Sequence, residues 1–152
     1  MFDLTTEQLC QRALECRLAD ARELDLALAE AGGTNVSLEE LIMVLMEKEI
    51  CTNWQLSRLV EGENRGYFYG DWKVWYMVGC GTFARVYRGC HTRTAEIRAI
   101  RVLRNRYAKD LEAQEKFLRM GNKGQGETIY EVGKASGRIY MVVDFIETSA
   151  SR

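Results

Sequence analysis

Between Val78 and Tyr87 the chain reads Val-Gly-Cys-Gly-Thr-Phe-Ala-Arg-Val-Tyr, and Arg98-Ala-Ile-Arg101 follows shortly after. Gly79 and Gly81 stand two residues apart at the tip of two strand-like runs. Glycine permits positive φ and a close backbone approach to a ligand. Backbone N–H groups in such a loop can point at phosphate oxygens. The bland reading of the same residues is a hairpin turn, since a lone pair of glycines marks turns of many kinds. Cys80 lies inside the loop. It reads as an ordinary turn residue rather than a redox-sensitive thiol.

These residues need elements to hold them. Side chains alternate along a strand, so Ile97, Ala99, Arg101 and Leu103 share one face of the run Glu96–Leu103. An alanine beside a cation on one face leaves a flat place for a base next to a charge for phosphates. The run Arg138-Ile-Tyr-Met-Val-Val-Asp-Phe-Ile-Glu147 reads as a buried strand leading into a connector.

Phe83 and Val86 follow the glycines at the spacing GxGxFxxVY, and the motifs then keep a fixed order. Residues 67–152 resemble the N-terminal lobe of a bacterial, eukaryotic-like serine/threonine protein kinase. Similar helical segments precede some bacterial kinases. The resemblance implies an α+β chain whose second part is a five-stranded antiparallel sheet with one helix, including a strand at Thr128–Val132. It implies ATP as the ligand, with the loop Gly79, Cys80, Gly81, Thr82 and Phe83 over its phosphates. Val86 and Ala99 match the residues that sandwich the adenine, and Val143 matches the gatekeeper. Asp144 and Ile146 match the hinge positions whose backbone meets the adenine edge. Arg101 stands where the family has its strand lysine, and Ala84 where it has a third glycine.

Several departures from the family bear on activity. Arginine keeps the positive charge, but its planar fork is not a compact ammonium. A misplacement of about 1 Å can cost on the order of 100-fold in rate. The run Asp110–Gly121 resembles the αC helix, whose family pattern is close to FxREG, but Met120 sits where the glutamate belongs. Glu115, five residues earlier, lies about 140° around a helix and is a poor substitute. The segment 121–127 is shorter than the family's connection, and its His-Pro-Asn is absent. The chain has Pro 0 against an average near 5%, which fits a local deletion. No HRD, DFG or APE motif follows the hinge before Arg152. The resemblance therefore implies no phosphoryl transfer from the isolated chain, an ATP site weakened or lost, and no metal site.

Composition sets bounds around this reading. With 152 residues, 47% hydrophobic and 28% charged, the chain reads as a soluble globular protein of one or two small domains. No apolar run approaches the ~18 residues of a bilayer span, and no secretory leader is legible at Met1. Cys10, Cys16, Cys51, Cys80 and Cys90 form no CxxC pair, so reduced cytoplasmic thiols are expected. The one histidine, His91, sits in a polar turn and argues against a zinc site. Trp72 and Trp75 read as packing residues.

Residues 1–66 form a different kind of chain. Thr5…Gln8, Ser37…Glu40 and Thr52…Gln55 fit the capping box, and Asp20…Glu23 is a looser version. Leu38, Leu41, Ile42 and Leu45 recur at helical spacing. Gly32-Gly33 and Gly62 are stop signals. A bundle of four short helices is predicted, joined to the sheet between Glu61 and Gly70, with Tyr67, Phe68 and Tyr69 as anchors. Residues 1–65 hold 13 acidic and 6 basic side chains, net −7, and residues 66–152 hold 9 and 15, net +6.

The expected role is binding. Val78, Val86, Ala99, Val143 and Ile146 would line an apolar cleft uncovered by a C-terminal lobe, and large exposed apolar patches mark interaction sites. Self-association or docking onto another protein follows. Alternatives are a fragment or trans-complementing part of an active kinase, and a decayed gene product. A further alternative is a basic polyanion-binding module using Arg85, Arg88, Arg98, Arg104 and Arg106. Solvated strand faces are the commoner reason for such arginines, so nucleic acid is not expected.

Overall fold

The computed structural model describes residues 4–33, 35–122 and 128–144. The chain separates into two compact units, Met1–Tyr67 and Phe68–Arg152.

The first unit carries four helices, α1 Thr6–Glu15, α2 Ala21–Ala31, α3 Leu38–Glu47 and α4 Asn53–Val60. Each starts at a polar cap. Thr5, Asp20 and Thr52 accept from the backbone N–H three residues on, and the side chains of Gln8, Glu23 and Gln55 return the bond. Ser37 accepts from the Glu40 N–H. Such a cap stabilises a helix by about 1 kcal/mol. Gly32 ends α2 and Gly62 follows α4, both at positive φ. The buried stripes are Leu9 and Ala13, Leu24 and Ala27, Leu41 and Leu45, and Leu56 and Leu59. These pairs recur three or four residues apart, the spacing that puts two side chains on one helix face. Arg12 of α1 donates to Leu59 O at 2.6 Å and Val60 O at 3.3 Å, supplying the end of α4 with a cation. The Oε1 of buried Gln55 accepts from the Thr52 N–H at 2.9 Å.

The second unit is an antiparallel sheet in the order β1-β2-β3-β4-β6-β5. Its strands are β1 Phe68–Tyr69, β2 Trp72–Cys80, β3 Ala84–His91, β4 Ile97–Leu103, β5 Ile129–Ala135 and β6 Arg138–Val143. A 3-10 turn at Asn105–Tyr107 leads to helix α5, Leu111–Asn122, between β4 and β5. The expected five strands are therefore six. The additional one is β1, where Tyr69 pairs with Trp72 across Gly70-Asp71. Gly70 at φ 60 makes that two-residue turn possible. The aromatic triplet read as an anchor is thus split. Tyr67 is buried in the first unit, its hydroxyl donating to Glu63 O and its ring edge-on to Trp54. Tyr69 belongs to the sheet, beside Tyr87 and Tyr140.

Strand alternation gives the sheet two apolar faces. On one, Ala99, Leu103, Met141 and Val143 cluster with Phe117 of α5. On the other, Ile100, Val102, Tyr140 and Val142 are buried. There the Tyr140 hydroxyl donates to Glu131, which also accepts from Trp72 Nε1 at 3.4 Å. Burial and the Glu131 carboxylate together push the Tyr140 phenol up to about 12. Among the described residues no helix is long and apolar enough to cross a membrane.

Candidate functional site

β2 ends at Cys80 and β3 begins at Ala84, so the connecting turn is Gly81-Thr82-Phe83, closed by the Gly81 N–H donating to Ala84 O at 2.8 Å. Gly79 and Cys80 are strand residues, paired with Val86 and Arg85. Cys80 is therefore exposed at a strand end rather than in the turn expected for it. Neither Gly79 nor Gly81 adopts positive φ. A Cβ at Gly79 would meet nothing within 4 Å, and at Gly81 only Ala84 O at 3.5 Å. Neither backbone conformation nor crowding requires these glycines. Their effect is to leave the loop backbone bare.

Arg104 fastens the loop from the far end of β4. Its backbone N–H donates to Phe83 O at 2.8 Å. Its guanidinium Nη1 lies 3.4 Å from Gly81 O and 3.5 Å from Thr82 O. The Phe83 ring turns inward, 5.1 Å from the Tyr107 ring and packed on the Ala99–Phe117 cluster, with Lys116 Nζ 5.7 Å from its centre. Three consecutive carbonyls of the loop therefore face one arginine.

Under the loop lies a cavity of about 450 Å³ lined by Gly81, Thr82, Phe83, Ala84, Val86, Arg101 and Phe117. This lies within the range of small-molecule sites. Arg101 enters from the middle of β4, opposite Val86 on β3 and Met141 on β6. It is the charged residue of an otherwise mostly apolar lining. Ala99 and Val143 face each other across β4 and β6, on the same side as Arg101. They are 6% and 1% exposed, covered within the cluster that holds Phe117 and Met141. The apolar surface left open is accordingly narrower than the sequence led one to expect. Val78 remains 43% exposed, while Ala99 and Val143 contribute little.

Asp144 follows β6, and its side chain fixes the end of the sheet. One carboxylate oxygen accepts from the Tyr130 hydroxyl at 2.6 Å, the other from the Thr128 N–H at 3.2 Å. These bonds, the Tyr130 hydroxyl first, hold its pKa below the ordinary carboxylate value. The Arg98 guanidinium sits 4.2 Å from the centre of the Tyr130 ring. Ile146 lies outside the described residues, as does the Met120 side chain, although Met120 falls within α5.

The structure thus gathers Gly81, Thr82, Phe83, Val86 and Arg101 around one cavity, with Ala99 and Val143 in the core beside it. Gly79 and Cys80 stand off its wall. Phe117, Ala84 and Arg104 join the residues expected at the site. Phe117 was legible as the apolar residue of an amphipathic helix, but no local signal joins Arg104 to a loop more than twenty residues earlier. His91 is the last residue of β3. Its Nδ1 accepts from the N–H groups of Arg93 and Thr94, and its ring packs edge-on to Trp72. No group of potential metal ligands occurs among the described residues.

No protein-family model matches the chain, and no curated protein matches it significantly. Among solved structures, it is similar to the crystal structure of the Mycobacterium tuberculosis PknI kinase domain. The two are 22% identical with a TM-score of 0.43, covering 54% of this chain and 36% of that chain. A cysteine-to-alanine mutant of the same domain is similar at 20% identity, TM-score 0.43, over 54% of this chain and 36% of that one. Another crystal structure of the PknI kinase domain gives 22%, 0.43, 54% and 35%. The chain spans about a third of the length of the kinase domains it matches.

Proposed function

We propose that this chain is a pseudokinase-like regulatory module. It binds a nucleotide or a protein through the cleft beneath the glycine-rich loop and does not itself transfer phosphate. The observation that carries the reading is Arg101. It lines the 450 Å³ cavity together with the loop residues Gly81–Phe83, at the position where the resembling family has lysine. A guanidinium there offers a fork to phosphate oxygens but not the point charge of an ammonium. The unforced glycines support the same reading. A Cβ would fit at Gly79 and Gly81, so their bareness serves a ligand better than it serves the fold.

A second reading is favoured by the partial span. The chain matches about a third of a kinase domain, and a lobe of that extent could complete a catalytic site in trans.

The deciding experiment is thermal unfolding with ATP and magnesium at millimolar nucleotide. A ligand at 100 times its Kd adds about 2.7 kcal/mol, which raises the midpoint of a chain this size by several degrees. The expected result is such a rise, lost in Gly81→Asp. An unchanged midpoint would remove the nucleotide and leave the protein-binding half of the reading. Phosphoryl transfer by the purified chain alone would overturn the proposal.

A further inference from the structure

The first unit carries an apolar groove unrelated to the loop cavity. Ile42 of α3 and Leu56 and Val60 of α4 form its apolar surface, with Asn53 and Ser57 of α4 and Glu61 just after it, enclosing about 240 Å³. Along α3, Glu39, Ile42, Met43 and Met46 recur three and four residues apart and so share one stripe. Met43 is 60% exposed and Met46 40% exposed. Two thioethers left in water beside a groove are poor for folding but useful for binding. Methionine is flexible and polarizable, and it adapts to different apolar partners.

The surroundings of the groove are acidic. Glu61, just after α4, lines it, and Glu39, three residues before Ile42 on α3, is exposed beside it. Three cations of this unit already have partners, and Arg12 of α1 donates to Leu59 O and Val60 O at the end of α4. Lys48 pairs with Glu30 at 3.1 Å. Arg58 donates to Arg65 O and lies over the rings of Trp54 and Tyr67. Residues 1–65 as a whole are net −7 (6 basic against 13 acidic).

We infer that the α3–α4 groove docks a basic amphipathic helix of another protein. One or two large apolar side chains would enter between Ile42 and Val60, and flanking lysines or arginines would meet Glu39 and Glu61. An apolar floor between helices with anchors at helical spacing is the geometry of helix-in-groove recognition. The acidic rim selects the charge of the partner and speeds its encounter. This inference is independent of whether the loop cavity binds a nucleotide.

The test uses the whole chain with methyl-labelled methionine and a short amphipathic helical peptide of leucine and lysine. A scrambled peptide of the same composition serves as control. The expected result is saturable binding that shifts the methyl signals of Met43 and Met46 and leaves that of Met141, buried in the second unit, in place. The scrambled peptide should bind at least about tenfold more weakly, as should the amphipathic one to Met46→Arg. Because Met46 is already exposed, this variant should keep the wild-type unfolding midpoint. A second variant, Glu61→Arg, should weaken binding without altering the apolar floor. Equal binding of both peptides, or binding that leaves the Met43 and Met46 methyls unmoved, would overturn the inference. So would failure to bind at low salt, where charge attraction is strongest.

Discussion

At the scale of single residues, the glycines separate into those the fold needs and those it does not. Gly89 lies in β3 where a Cβ would stand 2.3 Å from Lys73 O and 2.8 Å from Ile100 Cδ1. The first neighbour is backbone and cannot swing away. Gly89→Ala should therefore destabilise the second unit by about 1–3 kcal/mol, as overpacking does, read as a lower unfolding midpoint. Gly79→Ala should leave the midpoint nearly unchanged, because nothing lies within 4 Å of the added methyl. If the loop backbone approaches a phosphate, the same substitution should still reduce the ATP-induced shift. A loss of stability in Gly79→Ala equal to that in Gly89→Ala would mean that Gly79 is structural after all. Both residues look alike in sequence. What distinguishes them is a neighbouring strand's carbonyl, which only the register of β2 against β3 brings into place.

At the scale of elements, the loop is held both by its own Gly81 to Ala84 bond and by Arg104, the residue after β4. The backbone N–H and guanidinium of Arg104 face the carbonyls of Phe83, Gly81 and Thr82. Arg104→Ala keeps the backbone bond and removes the side-chain pair. Amide exchange at Gly81–Phe83 should rise severalfold while exchange in the core of β4 stays as it was, since local opening costs less than global unfolding. Uniform acceleration across the sheet would assign Arg104 to general stability instead. The helices of the first unit behave differently. Their starts were legible because a cap is a local device, needing one side chain and the N–H three residues on. The looser Asp20…Glu23 pair forms the same reciprocal bonds as Thr5…Gln8 and Thr52…Gln55, whereas Ser37…Glu40 is described by the Ser37 bond alone. β1 was missed because two residues offer no periodicity, although Gly70-Asp71 before Trp72 is a recognised hairpin signal.

At the scale of the whole molecule, each unit holds one buried tyrosine whose phenol is pushed up to about 12, Tyr67 in the first and Tyr140 in the second. Burial is the main cause in both. The unfolded chain releases these protons near pH 10 while the folded chain retains them to about 12. Between those values the folded state binds more protons than the unfolded, so stability falls as pH rises. It is fully present below pH 10. Unfolding by denaturant should therefore show a declining midpoint across pH 10 to 12, with a shallower decline for the second unit in Tyr140→Phe. A pH-independent midpoint over that window would contradict the burial of both phenols. Asp144 follows the opposite sign, because its carboxyl is held low by Tyr130 and Thr128. Its contribution is present above the ordinary carboxylate range and lost as pH falls through the lowered value. The sequence alone determined the caps, the alternation of β4, the division of charge and the order of the loop, strand and helix motifs, because each is written in spacing along the chain. Tertiary structure alone decided that Arg101 shares a cavity with Phe83 and Phe117, that Ala99 and Val143 are covered, and that Arg104 holds the loop. Those facts depend on strands distant in sequence lying side by side, and the register of pairing that sets them is a property of the folded sheet.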